Sequence, residues 1–207
     1  MNTSEQHISQ IELGEMNGRK RGVLMNSLAG YRPVIMVGTV SPDGVANLAI
    51  FNSLIHFGAD PALWGLVCRP NAEERDTVRN ISANGKYTLN FIHVSERQKA
   101  HQTSAKYGVT VSEFDTCGFE KEFKNSCGAP FVKNAIVKIE MESVTTIPIP
   151  LNGTSILIGK PLNIHLPTGL LGPDGFADLA GAGVLGCQGL DAYLSATLLE
   201  RFPYAQP

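Results

Sequence analysis

Residues 34–53 read VIMVGTVSPDGVANLAIFNS and contain the first clear β-hairpin pattern of the chain. Residues 34–40 form an apolar run with the length of a buried strand. The run ends at Ser41-Pro42-Asp43-Gly44, where proline presets φ and Asp-Gly favours a tight turn. Residues 45–57 are expected to return as the second arm of this hairpin.

Strand patterns continue on the C-terminal side of this hairpin. Asn152-Gly153 is a strong hairpin turn signal, and Pro161 is expected to mark a break or bulge in the strand that follows it. The remaining strands are predicted over residues 63–68, 86–92, 137–141 and 155–158, the last continuing through Leu162, Ile164 and Leu166.

Helices are fewer. One is predicted to start at an Asp76 or Thr77 cap and to end at Asn84-Gly85. A second is predicted from a capping box at Ser95 to about Ser104. Apolar spacing predicts a third over residues 191–202. The chain is therefore predicted to be mainly β, a β-barrel with peripheral helices.

Composition limits the class of protein. With 207 residues, 43% hydrophobic and 17% charged, the chain favours one folded domain over disorder. A net charge of -2 gives no reason to expect a nucleic-acid partner. The low charged fraction indicates that a partner or second subunit covers some of the surface.

The location of the protein is expected to be cytoplasmic. Residues 1–21 are polar and contain no apolar core of a secretory signal, and no apolar stretch is long enough to cross a membrane. The four cysteines, Cys68, Cys117, Cys127 and Cys187, have no C-x-x-C spacing and are interpreted as reduced thiols.

Two familiar site patterns are interpreted as uninformative. Residues 181–186 match G-x-G-x-x-G, but no clear strand precedes them and no acidic residue follows near 20 positions on, so a loop or helix junction is favoured. The five histidines show no paired metal-ligand spacing.

Basic residues near a predicted helix start form a candidate phosphate site. Arg69, Arg75 and Arg79 bring three positive charges close to the unpaired N–H groups of that helix and to the Thr77 hydroxyl. Asn52 and Ser53 add donors from an adjacent strand end. The alternative is ordinary helix capping with solvated arginines.

The order of these motifs resembles the flavin reductase family with an FMN-binding split barrel. Residues 47–53 resemble the family's NLAPFS element, with Ile50 in place of proline, and residues 76–81 resemble its DTxxNI element. Further similarities are found at residues 31–34, Thr39, Asp43-Gly44, Asp60-Pro61, 84–90, Glu113-Phe114, Gly118, Ala129-Pro130 and 158–160, with Lys160 in place of an acid.

The resemblance implies a six-stranded Greek-key split barrel over residues 23–207, preceded by an N-terminal extension over residues 1–22. It also implies FMN at a homodimer interface. Leu48, Ala49 and Phe51 would line the isoalloxazine ring, which Thr39 would approach from the first strand. Asn52 and Ser53 would serve the ribityl chain or phosphate, and Arg69, Arg75 and Thr77 would bind the phosphate.

The implied activity is hydride transfer from NADH or NADPH to flavin, with FMN as the expected cofactor and FAD as the alternative. No side-chain acid or base is required for this chemistry, since the flavin carries it. A second hypothesis is an FMN-binding electron carrier that acts with a protein partner and has no nicotinamide site. A third is a barrel of the same shape that has lost its flavin.

Overall fold

The computed structural model describes residues 5–70, 75–124 and 127–206, which form five α-helices and twelve β-strands. The helices are α1 (Gln10–Glu15), α2 (Gly18–Leu28), α3 (Asp76–Asn84), α4 (Arg97–Gln102) and α5 (Glu113–Cys117). The strands are β1 (Tyr31–Pro33), β2 (Ile35–Val40), β3 (Ala46–Phe51), β4 (Leu54–Ala59), β5 (Ala62–Cys68), β6 (Lys86–Phe91), β7 (Lys121–Glu122), β8 (Phe131–Val132), β9 (Val137–Ile149), β10 (Thr154–His165), β11 (Leu185–Gln188) and β12 (Ala192–Ser195).

Seven strands form one antiparallel sheet in the order β3-β2-β6-β9-β10-β5-β4. The strands at the two ends of this order, β3 and β4, are consecutive in the chain and are joined only by Asn52 and Ser53. The sheet therefore closes on itself, and β3 and β4 count as the two halves of one bent strand. This gives the predicted six-stranded barrel with helices at its periphery.

The first hairpin forms where the sequence predicts it. Ser41 and Val45 are joined by a backbone hydrogen bond of 2.9 Å, and Gly44 has a φ of 85°. Glycine adopts this left-handed conformation without steric cost. The turn sets the register of β2 against β3, in which Thr39 lies opposite Asn47.

Successive side chains of a strand point to opposite faces of the sheet, so one hydrophobic core forms inside the barrel and a second one outside it. Ile35 and Val37 of β2 point into the barrel, where they pack with residues of β6 and β9. Met36 of β2 and Leu48 of β3 point outward and pack with Ala100 of α4 and Phe114 of α5. The helices α4 and α5 therefore cover the outer face of the first hairpin.

The β9–β10 hairpin is longer than the sequence patterns indicate. Its turn contains Gly153 with a φ of 72°, as the Asn-Gly signal predicts. The pairing register shifts between Pro161 and Asn163, which confirms the bulge predicted at the proline.

Helix α3 ends as predicted, because Gly85 has a φ of 69° and its N–H bonds to the Ile81 carbonyl. The predicted cap at Asp76 or Thr77 is wrong: the cap position is Arg75, whose side chain makes no capping bond. The capping box at Ser95 is also wrong, since the His93 side chain accepts from the Ser95 N–H and a single 3-10 turn precedes α4.

The helix predicted over residues 191–202 is absent. Residues 192–195 form β12, which pairs with β11 in a three-stranded sheet of order β1-β11-β12, and residues 196–206 have no regular secondary structure. Residues 192–195 adopt a strand conformation because they pair with β11, with Leu194 opposite Gly186. This tertiary contact overrides the helical spacing of the apolar residues.

Residues 181–184 form a loop, in which Gly183 has a φ of 70°, and residues 185 and 186 are the first two residues of strand β11. The expected boundary between residues 22 and 23 lies inside α2. Within the three described ranges, no helix has both the length and the apolar character needed to cross a membrane.

Candidate functional site

A buried polar cluster joins α3 to the first hairpin. The Asn47 Nδ2 donates to Thr39 Oγ1 at 3.0 Å and to Thr77 Oγ1 at 3.1 Å, and the Asn80 Nδ2 donates to Thr39 Oγ1 at 3.1 Å. All four side chains are buried. Because both Asn47 amide hydrogens are used here, the cluster holds the helix against β2 and β3.

Two predicted site residues, Thr39 and Thr77, therefore lie together. Thr39 is fully buried, and its hydroxyl accepts from two amides. Thr77 lies in the first turn of α3, whose leading backbone N–H groups have no partner within the helix. The Thr77 side chain thus has a protein partner in Asn47, whereas the first-turn N–H groups of α3 have none within the helix.

The side chains of the three predicted ring-lining residues lie on opposite faces of β3. Ala49 and Phe51 share the inner face with Val37 and Ile35, which lie directly opposite them on β2. Leu48 points to the outer core and is fully buried. Its backbone N–H donates to the Glu113 carboxylate at 3.1 Å, so both its side chain and its amide have protein partners.

The two residues between β3 and β4 fix the bend of the strand. The Asn52 Nδ2 donates to the Gly189 carbonyl at 2.6 Å, and the Ser53 Oγ donates to the Val67 carbonyl at 2.9 Å. The Val67 N–H returns a bond of 3.3 Å to the Ser53 carbonyl. The bend is therefore attached to β5 two residues before Arg69.

The three arginines differ in their charge environment. Arg79 forms an ion pair with Asp76 on the same helix. Arg69, just after β5, and Arg75, just before α3, are both exposed, and neither forms an ion pair with any residue in the described ranges. Within the described ranges, Arg69 and Arg75 thus differ from Arg79 in having no carboxylate partner.

Glu113 is a residue of this region that sequence reasoning did not assign to the site. It is only 7% exposed, and burial together with the nearby charge of Asp76 raises the pKa of its carboxyl above the usual value. Its contact with Leu48 joins positions 65 apart in the chain, and no local sequence pattern reports such a contact.

A separate open groove of about 510 Å³ lies where β9 begins and β10 ends. Its lining includes Ile136, Lys138, His165 and Leu166, and none of the predicted site residues. The charge of Lys138 is paired with Glu122 at 2.5 Å.

The six-stranded antiparallel barrel with peripheral helices places the chain in the class of split-barrel proteins. Residues 29–180 match the flavin reductase-like domain family, and the chain belongs to this family.

Three solved structures illustrate the similarity. A protein of Shewanella frigidimarina NCIMB 400, described as a flavin reductase with a split barrel domain, is 35% identical, with a TM-score of 0.93 over 97% of this chain and 100% of that one. Nitrilotriacetate monooxygenase component B of Bacillus cereus is 23% identical, with a TM-score of 0.82 over 98% and 100%. Flavoredoxin of Desulfovibrio vulgaris (Miyazaki F) is 17% identical, with a TM-score of 0.73 over 84% and 92%. The last two similarities concern the fold alone.

Proposed function

We propose that the protein is an FMN-binding oxidoreductase that uses NADH or NADPH as its reductant. One observation in the chain itself carries the proposal. Two exposed arginines have no ion-pair partner in the described ranges: Arg69 directly follows β5, which is bonded to the bend between β3 and β4, and Arg75 directly precedes α3. Membership of the flavin reductase-like family supports the same proposal.

The phosphate of FMN would bind at this basic helix start. Arg69 and Arg75 supply two guanidinium groups, and α3 supplies the backbone N–H groups of its first turn, including that of Thr77. Ser53 lies two strand positions from Arg69 through its bonds with Val67, and its hydroxyl would donate to the phosphate in place of the Val67 carbonyl. This donor set fits a dianionic phosphomonoester.

The isoalloxazine ring would lie along β3. Ala49 and Phe51 would contact it through their main chain, because their side chains share the inner face of the barrel. Leu48, Thr39 and Asn52 would act through the position of the strand, because their polar groups already bind other parts of the protein. When bound, the flavin supplies the two-electron redox chemistry. The chain binds and orients it, with no side chain proposed as an acid or base.

An FMN-binding electron carrier that exchanges electrons with a protein partner is the second candidate. The similarity in fold to flavoredoxin favours it, as does the lack of a recognisable nicotinamide motif in the sequence. The two candidates differ in one property, which is whether the purified protein oxidises a nicotinamide without another protein.

One experiment tests both candidates. The absorbance spectrum of the purified protein and chromatography of the released cofactor distinguish FMN from FAD. Oxidation of NADH and NADPH is then followed at 340 nm with and without added flavin. Turnover supports the reductase, and bound flavin without turnover supports the carrier. A protein that neither retains nor binds added flavin would contradict both.

A homodimer in the cytoplasm completes the proposal. Several large apolar side chains are exposed on a single chain, Leu151, Leu199 and Tyr204 at more than nine-tenths, and a second copy would cover such a surface. All four cysteines are free and buried, which fits a reducing compartment.

A further inference from the structure

The outer edge of β3, beside the proposed ring position, has no second strand paired with it in the described ranges, and Glu113 of α5 contacts it at Leu48. Among the strands in the described ranges, β3 pairs with β2 alone. In an antiparallel ladder, alternate residues direct their N–H groups to opposite sides of the strand. Since the Leu48 N–H points away from β2 to Glu113, the N–H of Ile50 faces the same open edge.

Glu113 fixes this edge from outside the sheet. It is the first residue of α5, and its Oε2 accepts the Leu48 N–H at 3.1 Å. The carboxyl interacts electrostatically with three titratable side chains: Asp76 of α3, Tyr107 of the loop after α4, and Cys117 of α5. Tyr107 and Cys117 are in contact with each other at 3.6 Å between oxygen and sulfur.

The protonation of Glu113 depends on this environment. Burial makes the largest contribution and raises the pKa of the carboxyl, and the negative charge of Asp76 raises it further. The bonds from the Leu48 and Glu113 N–H groups oppose this change without cancelling it. The carboxyl therefore takes up a proton at a higher pH than an ordinary glutamate does.

We propose that Glu113 is a positioning residue for the flavin site, whose ionised carboxylate holds the open edge of β3 in its ligand-binding conformation through the Leu48 amide and loosens that edge when it takes up a proton. This inference rests on the proposed function, because it assumes that the flavin ring binds along β3. Glu113 itself is not proposed to touch the flavin.

The proposal predicts a flavin affinity that falls as the pH is lowered through the titration of Glu113. A hydrogen bond to a charged acceptor is roughly twice as strong as one to a neutral acceptor, so protonation is expected to weaken binding by about fivefold. The direction follows from the raised pKa: the ionised form that holds Leu48 predominates only above that pKa.

The test is the dissociation constant of riboflavin, measured by fluorescence quenching between pH 4.5 and 8. Riboflavin has no phosphate, so titration of the FMN phosphate does not enter the profile. Glu113→Gln keeps a neutral acceptor and should bind like the protonated wild type at every pH. Glu113→Ala should bind more weakly still. Asp76→Asn should move the wild-type step to lower pH, because a neighbouring negative charge is removed.

The control is Asp115→Asn on the same helix, whose side chain is exposed and pairs with Lys121. It should leave the profile unchanged. A pH step retained in Glu113→Gln, or an unchanged affinity in both Glu113 variants, would overturn the proposal.

Amide hydrogen exchange of residues 46–51, compared between wild type and Glu113→Gln at equal pH, separates the hold of Glu113 on Leu48 from the proposed binding of flavin. Faster exchange in the variant supports the hold on Leu48, and equal exchange contradicts it. A wild-type protein that binds no flavin overturns the proposed function, whatever the exchange result.

Discussion

The charge environment of each arginine predicts its effect on cofactor binding. Arg75→Ala and Arg69→Ala should each weaken FMN binding by about ten- to a hundredfold, because each removes a charge-assisted contact worth about 1.5–3 kcal/mol. Arg79→Ala is the matched control, since its guanidinium is already paired with Asp76. FMN titration followed by flavin fluorescence measures all three.

Riboflavin, which lacks the phosphate, should bind the Arg69 and Arg75 variants as it binds the wild type. An equal loss of riboflavin and FMN affinity would place the arginines elsewhere than at the phosphate.

For individual residues, the sequence predicts which segments contribute to the site, but it does not predict the side-chain contacts within it. Order along the chain predicts that Ser53, Arg69, Arg75 and Thr77 lie in one region. It does not reveal that the Thr39 and Thr77 hydroxyls both accept from Asn47. Such partners depend on the packing of α3 against the barrel, which no local pattern encodes.

Close packing between strands makes Gly159 of β10 the most informative glycine for stability. A Cβ at this position would meet the hydroxyl of Tyr87 and lie 2.9 Å from the Glu142 carbonyl oxygen, and Tyr87 is only 1% exposed. Because neither neighbour can move freely, Gly159→Ala should destabilise the protein by about 1–3 kcal/mol. Urea denaturation measures the change.

The matched control is Gly22→Ala in α2, where a Cβ would have nothing within 4 Å. Alanine is a better helix former, so this variant should be neutral or more stable by up to about 1 kcal/mol. Equal midpoints for the two alanine variants would contradict the packing argument.

Elements that depend on local turn chemistry are those that the sequence predicts well. Asp43-Gly44, Asn84-Gly85 and Asn152-Gly153 each contain a glycine with positive φ in the structure, and each ends or reverses an element as expected. The segment after Asp191 is different. Its strand exists because β11 offers a pairing edge, a property of the folded molecule.

For the molecule as a whole, closure of the barrel follows from a two-residue connection between two strands. Only Asn52 and Ser53 separate β3 from β4, and their side chains bind Gly189 and Val67 in two different parts of the fold. The family resemblance predicts the closed barrel, whereas the strand patterns indicate only its components. The bend also leaves one edge of β3 open, and the proposed ring position lies along it.

The surface of a single chain predicts a homodimer. Only 17% of residues are charged, against about 25% in typical domains. The segment over residues 196–206, which we call the tail, exposes Leu199 at 93% and Phe202 at 78%. Exposure of such large apolar side chains to water is costly in a monomer. A second copy that covers them would remove this apolar surface from water.

Light scattering after size-exclusion chromatography should therefore give twice the 22.3 kDa of one chain. Leu199→Asp combined with Phe202→Asp should raise the dissociation constant of the dimer by at least about tenfold, because a buried unpaired charge opposes association. Phe123→Asp, at a side chain 58% exposed outside the tail, is the control and should leave the dimer intact. A monomeric wild type at micromolar concentration would contradict the prediction, and an intact dimer in the tail variant would place the interface on another surface.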